Sequence, residues 1–256
     1  MVSRDLSGRV AIVTGGGSGM GDATARLFAE QGAAVVVADI NCKNGEETAE
    51  AIRATGGRAR FVQADVSNEA AVEAMIAFAV EEFGRLDCAV NNAARHPDSD
   101  PIDLIDMEVF DEVIAVNLRS VVLCLKYELQ QMLKQGSPGS IVNIASISGL
   151  RPQPGNPAYI AAKSGVIGLT KSTSLDYAPK GIRVNCVAPG LVETPMIAAA
   201  LEGTELARNS LASSISLFGR FGQPHEVAEA NLWLCSDKSS LVTGATLAVD
   251  AGYTSM

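Results

Sequence analysis

The chain of 256 residues is expected to form one α/β domain, a doubly wound parallel sheet of about seven strands with helices on both faces. Three observations predict this. Short apolar runs rich in Val and Ile alternate with longer segments of helical period. The short runs are nearly continuous in hydrophobicity, as parallel strands covered on both faces must be. The Pro- and Gly-bearing stretches at 136–139 and 151–157 are connection length, not spacer length, so residues 1–256 read as a single unit.

The elements follow in order. A strand at 9–13 leads through a glycine-rich turn into a helix at 20–31, which carries Ala23, Leu27 and Phe28 at helical spacing. The Ala-Val-Val-Val-Ala run gives a second strand at 34–38, followed by a helix at 43–55. Strands at 59–63 and 86–90 flank a helix at 69–83. A long helical pattern at 108–134 precedes a strand at 140–144. A helix at 156–178, a strand at 183–187, a helix at 224–236 and a last strand at 246–249 complete the series.

Composition removes several classes of function. The formal net charge is -9 and no basic block appears, which excludes a nucleic-acid backbone as partner. The apolar runs stop short of a membrane span, and the first eight residues do not read as a signal peptide. Five cysteines without a CxxC spacing read as reduced, mostly buried thiols of a cytoplasmic protein. His96 and His225 are too far apart in sequence to suggest a metal site, and none is expected.

The turn after the first strand reads Thr14-Gly15-Gly16-Gly17-Ser18-Gly19-Met20-Gly21. A bare glycine turn is only a turn. Between a first strand and a first helix, however, glycines let the backbone approach a pyrophosphate at the helix N-terminus. Asp39 ends the second strand, where an acid suits the ribose diol of NAD and repels the 2′-phosphate of NADP; its other reading is a solvated strand-end carboxylate or a cap for the next helix. Asp65 and Val66 follow the third strand in the same way. Asp65 reads equally as an adenine contact and as a helix cap.

Tyr159 and Lys163 lie four residues apart, hence on one helix face. A phenol titrates near pH 10, and a nearby ammonium favours the phenolate. Ser146 stands 13 residues before Tyr159 at the end of the fifth strand, where open α/β sheets place their ligands. Asn91-Asn92-Ala93-Ala94 follows the fourth strand, and Asn117 sits inside a helical pattern that its propensity does not favour.

These residues, taken together and in order with Pro189-Gly190 and Thr194, resemble the short-chain dehydrogenase/reductase family in its single-domain, Rossmann-type branch, over nearly the whole chain. The resemblance implies that Tyr159 is the general acid/base, that Lys163 lowers the Tyr159 pKa and binds the nicotinamide ribose, that Ser146 holds the substrate oxygen with Ser148 in second place, and that Asn117 supports a proton relay. It implies cofactor contacts from Gly15, Gly17, Ser18, Gly19, Met20, Gly21, Asp39, Ile40, Asp65, Val66, Asn92, Ala93, Tyr159, Lys163, Pro189, Gly190, Val192 and Thr194. The expected reaction passes a hydride between NAD, rather than NADP, and a secondary alcohol or ketone. The alternative is an NADPH-dependent 3-oxoacyl-[acyl-carrier-protein] reductase, against which Asp39 and the acidic charge argue. Ala94 and Ala251 stand where the family usually has Gly.

The substrate pocket is expected to draw on 94–101, 150–156 and a lid at 191–221, whose Met196, Ile197, Leu201, Leu206, Leu211, Leu217 and Phe218 suit a hydrophobic, cyclic substrate or merely pack the lid down. Arg95 and His96 are candidates to meet a polar group on it or are simply exposed. A homotetramer or homodimer is expected, from apolar residues Val121, Val122, Leu125, Ile167 and Leu169 on the two long helices and from the family's habit.

Overall fold

The computed structural model describes residues 5–200 and 205–256, without the side chains of 199–200 and 205–209. Seven parallel strands form one sheet in the order β3-β2-β1-β4-β5-β6-β7. They are β1 Val10–Thr14, β2 Ala34–Asp39, β3 Arg58–Gln63, β4 Cys88–Asn91, β5 Gly139–Ile144, β6 Ile182–Pro189 and β7 Thr246–Val249. The strand order reverses between β1 and β4, which opens a crevice at their carboxyl ends.

The helices follow from apolar stripes on two faces. On one face α3 (Glu69–Phe83), α5 (Ser120–Gln135) and α6 (Pro157–Tyr177) bury Met75, Leu125 and Val166 against Ile12, Ala89 and Ile141. On the other, α1 (Gly19–Glu30), α2 (Cys42–Ala54) and α9 (Pro224–Cys235) bury Phe28, Ile52 and Leu232 against Val13, Val35 and Val142. Fully enclosing one such side chain stabilises by about 1.5–3 kcal/mol before entropy is counted.

All seven expected strands are present. The helix expected over 108–134 is broken: α4 (Met107–Ile114) runs into a π-helical turn at Ala115–Arg119 before α5 begins. The wider turn places Asn117 wholly inside the protein. Two helices not expected from the sequence, α7 (Pro195–Ala200) and α8 (Glu205–Ile215), occupy the proposed lid. Leu201 lies outside the described residues, as does the side chain of Leu206.

The apolar surface expected on the long helices needs correction. Val121, Leu125 and Ile167 are buried within the chain, because they belong to the stripe that meets the sheet. The exposed apolar positions of α5 and α6 are Val122, Leu133 and Leu175, while Leu169 packs partly against the core.

Candidate active site

A cleft of about 500 Å³ opens at the carboxyl ends of the central strands. Its floor is the glycine turn, and the close packing there explains the glycines. Gly15 has φ +62, and a Cβ on it would lie 2.9 Å from Ala93 Cα. A Cβ on Gly21 would fall 2.0 Å from the Gly15 carbonyl oxygen, so this glycine lets α1 sit on the turn. On Gly19 a Cβ would fill the space beside Thr194. Ser18 is the extended N-cap residue of α1 and its hydroxyl makes no capping bond. The α1 N-terminus is therefore a backbone cradle without a side-chain cap, which fits a pyrophosphate.

The turn is fastened from two sides. Asn92 donates from Nδ2 to the carbonyls of Thr14 (2.9 Å) and Gly15 (3.2 Å), and Thr14 Oγ1 accepts from the amides of Asn92 and Ala93 at 3.0 and 3.1 Å. Asn92 thus holds the turn with its amide group. At the far end Asp39 accepts from Gly17 N at 2.9 Å and from Asn41 N at 2.8 Å. Its carboxylate lines the cleft beside the exposed Ile40. The cap of α2 is Asn41, which bonds Asn44 N. Likewise Asn68, not Asp65, caps α3. Asp65 accepts from the amide and hydroxyl of Ser67 and lines the cleft with the buried Val66.

Tyr159 and Lys163 line the opposite end of the cleft, one turn apart on α6. Lys163 is 2% exposed and donates to the Ile144 carbonyl at 3.0 Å. Burial lowers its pKa to about 8. The half-buried Tyr159 side chain meets that of Ser146, which also accepts from Ser148 N at 3.1 Å. Burial raises the phenol's pKa and outweighs the Ser146 hydrogen bond, which pulls it down. The expected lowering of Tyr159 by Lys163 is not met in this arrangement. The ammonium points to Ile144 and lies 5.6 Å from the centroid of the phenol ring.

Asn117 sits on the π turn and clasps Arg95. Its Oδ1 accepts from Arg95 N at 3.0 Å and its Nδ2 donates to Arg95 O at 3.2 Å. The Arg95 side chain reaches the cleft but is paired with Glu112. His96 is exposed and lies away from it.

The third wall follows β6. Gly190 N bonds Val249 O at 2.9 Å, and Val192 bridges to Gly222. These two residues face a second cavity of about 290 Å³, whereas Thr194, Pro195 and Met196 reach the main cleft. Gly17, Gly21, Asn117, Pro189, Gly190 and Val192 do not line the main cleft, and Ser146 borders it through its contact with Tyr159. Of the two unusual alanines, Ala251 adopts φ +50, the one non-glycine at positive φ among the described residues, and Ala94 does not.

Sequence reasoning missed two groups. Asp98 is buried and accepts from the amides of Ala158 and Tyr159, both at 3.0 Å. Beneath the cleft, Asn91 donates to Glu128 at 3.1 Å and to Asn143 at 3.0 Å, and Asn143 donates to Thr170 at 3.0 Å. The apolar stripe of α5 was the available signal for the second group, since Glu128 interrupts it. For Asp98 no local signal existed.

The profile described as Enoyl-(Acyl carrier protein) reductase matches residues 15–254. The chain is 50% identical over 248 residues to the short chain dehydrogenase/reductase astE of Aspergillus oryzae (strain ATCC 42149 / RIB 40), covering 96% of this chain and 95% of that one. It is 45% identical over 251 residues to the cis-4-hydroxycyclohexanecarboxylate dehydrogenase of Sinomonas cyclohexanicum, covering 97% of each. Among solved structures, that of levodione reductase superposes with a TM-score of 0.92 at 36% identity, covering 98% of this chain and 99% of that one. The chain belongs to the short-chain dehydrogenase/reductase family and is an oxidoreductase acting on CH–OH groups. Among the described residues no helix is long and apolar enough to cross a membrane.

Proposed function

We propose that the protein is an NAD-dependent dehydrogenase or ketone reductase for hydrophobic, cyclic secondary alcohols, with Tyr159 as general acid/base. The observation that carries this reading is the adjacency of Ser146, Tyr159 and Lys163 at one end of a cleft whose other end presents the Asp39 carboxylate. When bound, NAD supplies the carbon that accepts or returns the hydride. Ser146 holds the substrate oxygen against Tyr159, and Tyr159 takes the hydroxyl proton during oxidation or gives it back during reduction. Lys163, fixed by the Ile144 carbonyl, places a positive charge beside the phenol ring. Asn117 holds the backbone at Arg95, where the cleft begins. A cyclic substrate is supported by the cyclohexane-based name of the 45%-identical relative and by Met196 on the cleft wall.

The carrier-protein reading is favoured by the family profile's description, and cofactor choice separates the two. A panel of cyclic and linear secondary alcohols, read by absorbance of the reduced nicotinamide, should show turnover with NAD and little with NADP. Asp39→Ser should shift that preference toward NADP by about tenfold to a hundredfold, the scale of a hydrogen bond to a charged group. A wild-type preference for NADPH would overturn the NAD reading.

We also propose a homotetramer or homodimer in the cytoplasm, supported by the exposed Val122, Leu133 and Leu175 on α5 and α6. Size-exclusion chromatography at micromolar concentration should give an assembly; elution as a monomer would contradict it.

A further inference from the structure

Helix α6 enters the cleft without a cap of its own. Asn156 precedes it with φ -140 and ψ 58 and makes no side-chain capping bond. Pro157 opens the helix and has no amide hydrogen to offer. The next two amides, of Ala158 and Tyr159, need partners, since neither has one inside the helix. Both are taken by Asp98, one by each carboxylate oxygen at 3.0 Å, across 60 and 61 residues of sequence.

We propose that Asp98 is a positioning residue: it ties the segment in front of the cleft to the first turn of α6 and so sets where Tyr159 presents its phenol. The inference rests on the reading of Tyr159 as the acid/base. A carboxylate suits this place on two counts. It has an oxygen for each amide, whereas an asparagine has one oxygen and would turn an NH2 group toward the other amide. It also places negative charge at a helix N-terminus, where the backbone dipole favours it.

Asp98 is only 6% exposed. The segment that carries it is itself held, by Asn92 on the glycine turn and by the Asn117 clasp on Arg95. One short stretch thus joins the cofactor floor, the π turn and the Tyr159 helix. The bond to the Tyr159 amide is made by the acid/base residue itself, so a lost anchor acts directly on its backbone. A misplacement of about 1 Å in such a site can cost about a hundredfold in rate.

The test compares Asp98→Ala, Asp98→Asn, Tyr159→Phe and the double variant Asp98→Asn/Tyr159→Phe. The substrate is the alcohol that the wild type turns over fastest in the panel above, and NADH binding is followed by fluorescence titration. Asp98→Ala should lower kcat by about ten- to a hundredfold with NADH affinity unchanged. Asp98→Asn, which keeps one acceptor and nearly the same shape, should fall between it and the wild type. In the Tyr159→Phe background Asp98→Asn should change the residual rate less than twofold, because the group it positions is gone. Equal kcat in folded wild type and Asp98→Asn, or a loss that repeats in full without the phenol, overturns the proposal. Full activity of Tyr159→Phe would instead overturn the underlying reading of Tyr159, so the two failures are distinct.

Discussion

Tyr159→Phe should lower kcat for alcohol oxidation by about a thousandfold, within the 10²–10⁴ that a positioned acid/base contributes. The substitution removes one oxygen and leaves the ring, so the packing of α6 and the cleft wall persist. It deletes the proton acceptor and leaves the Ser146 hydroxyl without the phenol it meets. The pH dependence has a definite sign. Burial raises the Tyr159 pKa above its ordinary value of 10.0, so the phenol holds its proton at neutral pH. Oxidation needs the deprotonated phenol and should accelerate as pH rises; reduction needs the protonated phenol and should not. Lys163, with its pKa lowered to about 8 by burial, begins to lose its charge in the same range and will round off the alkaline gain. The residual oxidation rate of Tyr159→Phe should lack the rise assigned to the phenol. Rates in both directions from pH 6 to 10 check this, and an unchanged pH profile in the variant would remove Tyr159 from the role.

The fold was legible because its signals are local. Parallel strands buried on both faces announce themselves as runs such as Val10–Thr14 and Ala34–Asp39, and helices as stripes of 3.6 period. Parts of the site were legible for the same reason, since the glycine turn, Asp39 and the Tyr159/Lys163 pair are short-range patterns. Asn117 gave a weaker local sign, a poor helix former within a helical pattern, and the structure resolves that conflict with a π turn. Partner choice was not legible. Asn41 and Asn68 do the capping that was open to Asp39 and Asp65, because at each place two polar side chains compete and only the backbone path decides. Periodicity likewise marked Val121, Leu125 and Ile167 as apolar without saying which surface they meet. Asp98 lay beyond any sequence window, since its partners are about sixty residues away and become neighbours only after β4, β5 and α6 have packed.

Glu128→Gln should stabilise the protein, and by more in alkaline than in acid solution. Glu128 lies on α5 with no exposure and a pKa raised by burial from 4.5 to about 8. One carboxyl oxygen accepts from Asn91; the other has no partner, nor does Asn91 Oδ1. An ionised carboxylate is costly there, so the folded protein keeps the proton that the unfolded chain gives up near its ordinary pKa. Between about pH 4.5 and 8 the folded state binds more protons than the unfolded one, and stability falls as pH rises. The favourable contribution is fully present below the lower value and lost above the upper one. The loss across the window is on the order of 5 kcal/mol. Glutamine reproduces the neutral acid: its oxygen accepts the Asn91 hydrogen bond, and it has no proton to lose. The gain in stability of Glu128→Gln should therefore grow by about 2–3 kcal/mol between pH 6 and pH 9, read as the difference between two urea-unfolding series. Other groups titrate equally in the two proteins and cancel in that difference. A gain independent of pH would mean that Glu128 is ionised in the fold, held by a partner that its buried position on α5 does not display.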